Sequence, residues 1–246
     1  MKMLDLFSGI GGFSLAAQWT GKIETVGFCE IEPFCQKLLK QNFPGIPVFE
    51  DITKITRKDL DALGTIGIIT GGFPCQDISA VGKRKGIGKE TRSGLFFEMS
   101  RIVRCLKPKY WIMENVSNLL YGNGGAWFRE VLREITECGY DAEWKIISCK
   151  DVGGCHLRKR VWIIATNTDC ERLGSARENF EATGGIRSIE NKIELMAAKR
   201  IALESGICRR NDGISDRVDR VKGLGNSIVP QIAVELFQEI LNKENQ

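Results

Sequence analysis

Along the first 165 residues, short apolar stretches alternate with segments whose apolar residues recur every three or four positions. The short stretches read as strands: Lys2–Leu6, Ile23–Cys29, Val48–Phe49, Thr65–Thr70 and Lys109–Met113. The Thr65–Thr70 stretch is almost wholly apolar, as a strand of a parallel sheet covered on both faces must be. Between them, Phe13–Thr20, the segment opening at Pro33, Gly94–Leu106 and Ala126–Cys138 carry helical spacing, with Leu95, Met99, Ile102, Val103 and Leu106 on one face. Pro33 falls in a first helical turn, where its missing N–H does no harm. Asp141–Ser148 and Arg160–Thr166 form a terminal strand pair. Repeated strand–helix units predict an α/β fold, a doubly wound and mostly parallel sheet with right-handed crossovers. Ligands of such sheets bind beyond the carboxyl ends of the strands. From Asn167 to about Asp216 the pattern weakens, with one helix expected at Ser188–Glu204, and a last helix is expected at Ser227–Asn242 with Asn226 or Ser227 as its cap.

Composition narrows the class. A chain of 246 residues buries roughly 70–75% of its unfolded surface, so its core needs no staple. No apolar run approaches the ~18 residues of a membrane helix, and Asp5 interrupts the first apolar stretch, which speaks against a signal peptide. The expectation is a soluble, intracellular protein whose nine cysteines are mostly reduced. With no C-x-x-C pair and a single histidine, His156, a metal site is not expected. The net charge of +4 is mild, but its distribution is not: Gly82–Arg92 holds Lys83, Arg84, Lys85, Lys89 and Arg92 against Glu90. Lys150–Arg160 holds four bases against Asp151. Such runs serve as solvated faces or as phosphate contacts.

Five segments carry candidate chemistry. Asp5-Leu6-Phe7-Ser8-Gly9-Ile10-Gly11-Gly12 is a strand running into a glycine turn and a helix start, either a tight structural turn or a nucleotide cradle. Glu30 follows at the end of the second strand, where a carboxylate can accept hydrogen bonds from ribose hydroxyls. Gly71-Gly72-Phe73-Pro74-Cys75-Gln76 places a cysteine in a turn at the ligand edge, ahead of a basic segment. Nearby cations lower a thiol's pKa, and the thiolate is the nucleophile. Glu114-Asn115-Val116 ends the fifth strand at that same edge. His156-Leu157-Arg158-Lys159-Arg160 sets two arginines at i, i+2, and Gly225-Asn226-Ser227-Ile228-Val229-Pro230-Gln231 precedes the last helix.

In their order, these segments resemble the cytosine-5 DNA methyltransferases. DLFSGIGGF is similar to that family's cofactor loop, GGFPCQ to its catalytic loop and ENV to its third signature. RKRVWIIA is similar to its arginine strand, and GNSIVPQIA to its C-terminal cofactor segment. The resemblance implies a Rossmann-like fold of the S-adenosylmethionine-dependent type with a reduced DNA-recognition region. Residues 1–166 would be the catalytic and cofactor domain, 167–216 the recognition region, and 217–246 a segment returning to the first. It implies S-adenosylmethionine, without a metal, against Phe7, Gly9, Ile10, Gly11 and Gly12. Glu30 would meet its ribose, Ile31 its adenine ring, and Asp51-Ile52 its adenine amino group. Gly72, Pro74 and Leu95 would complete the wall, and Asn226-Ser227 would reach the amino-acid end. Cys75 matches the nucleophile, Glu114 the acid that holds the cytosine, and Arg158 and Arg160 the arginines around base and thiol. Double-stranded DNA is the implied partner, in a bacterial or phage-infected cytoplasm, with room for a restriction endonuclease or a partner chain beside it. His156 stands where the family usually has glutamine. Rival readings are an RNA methyltransferase, whose Cys-Phe-Thr signature is absent, a catalytically silent DNA-binding homologue, and a nicotinamide dehydrogenase, which leaves Cys75 without a role.

Overall fold

The computed structural model describes residues 1–74, 94–154, 157–171 and 226–245. Its frame is a seven-stranded sheet in the order β3-β2-β1-β4-β5-β7-β6. Strands β1 (Lys2–Leu6), β2 (Glu24–Cys29), β3 (Val48–Phe49), β4 (Ile68–Gly71) and β5 (Tyr110–Val116) pair in parallel. The terminal pair, β6 (Tyr140–Ser148) and β7 (Lys159–Asn167), is antiparallel, and β7 lies antiparallel on β5. The sheet is therefore mostly parallel and doubly wound.

Alternation along each strand builds three layers, because successive side chains leave opposite faces. Leu4, Leu6, Ile69, Trp111, Met113, Val161 and Ile163 point into one core with helices α4 (Leu95–Leu106) and α5 (Ala126–Glu137). Met3, Ile68, Ile112 and Trp162 point into the other, covered by α1 (Gly12–Thr20) and the last helix. Both faces are apolar, which is why the strands read as nearly unbroken hydrophobic runs. In the first core Trp111 stacks on Phe96 at 5.7 Å and meets Tyr140 edge-on at 6.2 Å. Such ring pairs add about 0.5–1.5 kcal/mol each beyond burial. A buried polar tie joins α4 to α5: Glu134 pairs with Arg104 at 2.8 Å and accepts the Ser100 hydroxyl.

The four helices expected before residue 140 appear within a residue of their predicted bounds. A further short helix, α3 (Arg57–Ala62), was not anticipated, although its capping box is plain: the Thr56 side chain accepts from the Asp59 N–H, and the Asp59 carboxylate accepts from Thr56. After α2 (Pro33–Asn42) and these come α6 (Thr168–Glu171) and α7 (Pro230–Glu244). The start of α7 corrects the expected Ser227 boundary. Its N-cap is Val229 in extended conformation with no side-chain cap, so neither Asn226 nor Ser227 caps it. The physical reason is Pro230, whose ring disfavours helical geometry in the residue before it and fixes itself as the first helical position. Helix α7 packs along α1, with Phe13 and Phe237 rings 6.4 Å apart. At its far end Glu244 accepts from Tyr110 at 2.8 Å and pairs with Lys109 at 2.5 Å. Cys75, the Gly82–Arg92 run, His156, the Ser188–Glu204 helix and nearly all of the 167–216 region lie outside the described residues. Among the described residues no helix is long and apolar enough to cross a membrane.

Candidate active site

The two halves of the sheet diverge at β1 and β4, and a cleft of about 320 Å³ opens beyond the carboxyl ends of β1, β2, β4 and β5. This is the switch point where open α/β sheets bind ligands.

The β1–α1 turn forms one wall. Phe7, Gly9 and Gly11 all take positive φ, at 52°, 54° and 86°. A Cβ built on Gly9 meets open space, and Gly9 lines the cleft; the other glycines answer to packing. A Cβ on Gly11 would stand 2.7 Å from the Phe43 ring, and one on Gly12 2.7 Å from Ile228. Beneath the turn lies a polar hub invisible in the sequence pattern. Asp5 is fully buried and accepts the hydroxyls of Ser14 at 2.9 Å and Thr70 at 3.0 Å. Burial pushes its carboxyl up to about 7 against the pull of those two donors. Ser8 Oγ donates to the Asp5 carbonyl at 2.6 Å and accepts from the Cys29 N–H at 3.2 Å, stapling the ends of β1 and β2.

Glu30 stands at the centre of the acidic half. Its carboxylate accepts from the Gly9 N–H at 2.7 Å and the Glu32 N–H at 2.8 Å. The Gly9 donor that the glycine turn seemed to offer an anionic ligand is thus spent on Glu30. Ile31, 68% exposed, lies beside it on the cleft with Glu32, Phe34, Glu50, Asp51 and Ile52. Asp51 caps the turn Ile52–Lys54 by accepting from the Thr53 N–H and hydroxyl, bonds that hold its carboxyl below the usual range.

The opposite half is built on β5 and β7. The register sets Glu114 opposite Trp162 and Val116 opposite Arg160, bringing Arg160 to the strand end, and Arg158 lines the same cleft. Arg160 Nε lies 3.1 Å from Glu114 Oε1, but no N–H is aimed at that oxygen, which accepts no hydrogen bond among the described residues. Burial drives the Glu114 carboxyl up to about 7, the charges of Arg160 and Arg158 only partly opposing. A buried acid with that pKa can hold a proton at neutral pH and give it up. Asn115, from the same motif, donates to the Phe73 carbonyl at 3.1 Å and so fixes the chain just before Pro74, the residue preceding Cys75.

The structure gathers most of the expected residues on one cleft: Phe7, Gly9, Glu30, Ile31, Asp51, Ile52, Gly72, Pro74, Leu95, Glu114, Arg158, Arg160 and Asn226. Ile10, Gly11, Gly12 and Ser227 are not among its lining; the Ser227 hydroxyl donates to the Ile228 carbonyl at 3.1 Å. Sequence reasoning missed Cys29, Glu32, Phe34, Cys35, Glu50 and Phe73 as lining residues. Their adjacency to strand ends was the available signal.

The strand order, its antiparallel terminal pair and the switch-point cleft define a Rossmann-like fold of the S-adenosylmethionine-dependent methyltransferase type. Solved structures share it. A DNA modification methyltransferase encoded within an E. coli prophage superposes with a TM-score of 0.58 at 22% identity, over 70% of this chain and 48% of that one. The S. pombe Dnmt2 methyltransferase gives 0.54 at 25% identity, over 68% and 49%. The sequence model of the C-5 cytosine-specific DNA methylases matches residues 1–202, and the chain belongs to that family. Type II methyltransferase M1.ScrFI of Lactococcus lactis subsp. cremoris is 39% identical over 163 residues, 66% of this chain and 41% of the relative. Type II methyltransferase M.HhaI of Haemophilus parahaemolyticus is 35% identical, over 69% and 50%. The orphan methyltransferase M.SPRI of Bacillus phage SPR is 28% identical over 99% of this chain and 57% of its own length. The chain thus spans about half the length of the relatives it matches.

Proposed function

We propose that the protein transfers a methyl group from S-adenosylmethionine to C5 of cytosine in double-stranded DNA, at a defined sequence. The observation that carries this reading is Glu114: a buried acid with a pKa raised to about 7, 3.1 Å from Arg160 and sharing one cleft with Arg158, Glu30 and the proline that precedes Cys75.

The donor set fits the cofactor. Glu30 and Asp51 offer carboxylate oxygens to hydroxyl and amino groups, Ile31 and Phe7 offer apolar faces, and a Cβ at Gly9 would fall in open space at the cleft. When bound there, S-adenosylmethionine supplies an electrophilic methyl group. The remaining work belongs to the chain. Cytosine C5 is too weak a nucleophile alone, so the Cys75 thiolate adds to C6 and forms an S–C6 bond. The displaced electron pair moves through the ring as Glu114 gives its proton to N3, leaving C5 electron-rich enough to take the methyl group. Water then takes the C5 proton, the electron pair left behind forms the C5–C6 double bond and expels the Cys75 thiolate, and N3 returns its proton to Glu114. Arg160 and Arg158 hold the charge left on Glu114. The base must leave the stack to reach this cleft. The Gly82–Arg92 run, which follows Cys75 in sequence and holds five bases to one acid, supplies phosphate contacts. A cytoplasmic setting and a companion endonuclease accord with the Type II names of the bacterial relatives.

The test is trapping on a duplex pool carrying 5-fluorocytosine, with S-adenosylmethionine present. Fluorine cannot leave as a proton does, so the enzyme stays bound through Cys75 and a band survives denaturation; Cys75→Ser gives none. An adduct on fluorocytosine RNA alone would move the substrate to RNA, and no adduct on either would refute the proposal.

A further inference from the structure

We infer that Gln36 is a positioning residue for the cofactor half of the cleft, acting through the backbone of Glu30 and Ile31. The inference rests on the reading above and extends it to a residue in no recognised motif of this sequence. Gln36 lies in the first turns of α2 and is buried, unusually for a glutamine. Its Nε2 donates to the Glu30 carbonyl at 2.8 Å and to the Ile31 carbonyl at 3.3 Å. Those carbonyls sit where β2 has ended and α2 has not begun, so neither ladder nor helix supplies their donors.

Two consequences follow from the geometry. Glu30 is held at every polar atom: its N–H donates to the Phe49 carbonyl, its carboxylate accepts from Gly9 and Glu32, and its carbonyl accepts from Gln36. The aim of the carboxylate therefore depends on a backbone that Gln36 fixes. Ile31 is 68% exposed and gains little from packing, so its place on the cleft wall is set by its own main chain. An amide that donates to both carbonyls fixes the carboxylate and the apolar face as one unit.

The experiment measures S-adenosylhomocysteine binding to the DNA-free chain by calorimetry, with melting temperature recorded for every variant. Gln36→Met and Gln36→Leu keep an apolar side chain in place but donate nothing to the two carbonyls. Each should weaken binding tenfold or more and raise KM for S-adenosylmethionine, with kcat and KM for DNA within twofold of wild type. Gln36→Leu carries the same test where the methionine variant does not fold. Ile240→Ala, a core truncation in α7, should lower the melting temperature and leave affinity unchanged. Since Gln36 acts through Glu30, the double variant Glu30→Gln/Gln36→Met should lose less than the product of the single losses. Unchanged affinity in both Gln36 variants, or losses that multiply independently, would overturn the inference while the cofactor reading stands. A wild-type chain that binds no S-adenosylhomocysteine would overturn both.

Discussion

Asp5 gives the sharpest prediction, because it is a carboxyl with no exposure whose titration is displaced into the neutral range. Its pKa rises from 3.8 to about 7, chiefly through burial, with the Glu30 charge adding a little and the Ser14 and Thr70 hydroxyls pulling the other way. A displacement of about three units corresponds to roughly 4 kcal/mol between protonation states. The folded carboxyl keeps its proton between pH 4 and 7 where the unfolded one has lost it. The favourable contribution is therefore whole below about pH 4 and is lost as pH rises to about 7. Asp5→Asn is near in shape and has no charge at any pH. It offers one acceptor oxygen where two hydroxyls donate, which costs about 1 kcal/mol. Near pH 4 the variant should be the less stable by about that amount, and by pH 5 wild type has already lost roughly 1.5 kcal/mol, so the two should stand within about 1 kcal/mol. Between pH 5 and 8 the variant should gain a further ~3 kcal/mol on wild type. Urea unfolding of both proteins from pH 5 to 8 reads the difference directly. At a slope of about 2–3 kcal/mol/M the relative midpoint should move by roughly 1–2 M. If the two midpoints run parallel across that range, the buried-carboxyl argument fails.

Glu114→Gln should lower kcat at least ~100-fold, the scale of one lost general acid, while S-adenosylhomocysteine binding stays within twofold. Wild-type kcat/KM for DNA should decline as pH rises through about 7, where Glu114 of the free protein gives up its proton, and the variant should lack that limb. A variant turning over at wild-type rate would remove Glu114 from the chemistry. Gly12→Ala places a Cβ 2.7 Å from the Ile228 side chain, an overpacking of about 1–3 kcal/mol that should lower Tm by roughly 2–12 °C. An unchanged Tm in a calorimetric scan would mean that the 226–229 segment yields freely.

Much of the fold was legible because both faces of the sheet are covered. Strands such as Ile68–Gly71 and Tyr110–Val116 are apolar on both sides, and the helices carry a single apolar stripe, so period alone separates them. Boundaries failed where a local rule overruled the pattern: at Pro230, which bars Val229 from the helix, and at α3, six residues held by Thr56 and Asp59 rather than by an apolar face. The cleft was legible because its residues end strands, and strand ends converge in this topology. The connections between them were not. Ser8, Gln36 and Asn115 act through main-chain groups of residues 21, 6 and 42 positions away, and hydrogen bonds to backbone leave no mark on periodicity or charge. Nor does a sequence show that Gly11 and Gly12 are small for the sake of Phe43 and Ile228 rather than for a ligand.

The packing of α7 on α1 sets an order on the making of the protein. Helix α1 is complete at Thr20, and its cover begins at Pro230. At about 5–20 residues per second of synthesis, some 10–40 s separate the two. During that interval Phe13, Ala16 and Ala17 have no Ile232, Leu236 or Phe237 to lie against. Asn226, the cleft residue supplied from that end among the described residues, has not been made either. A ribosome stalled in the intervening stretch would thus hold a sheet whose α1 face lacks its α7 cover and a cleft without Asn226.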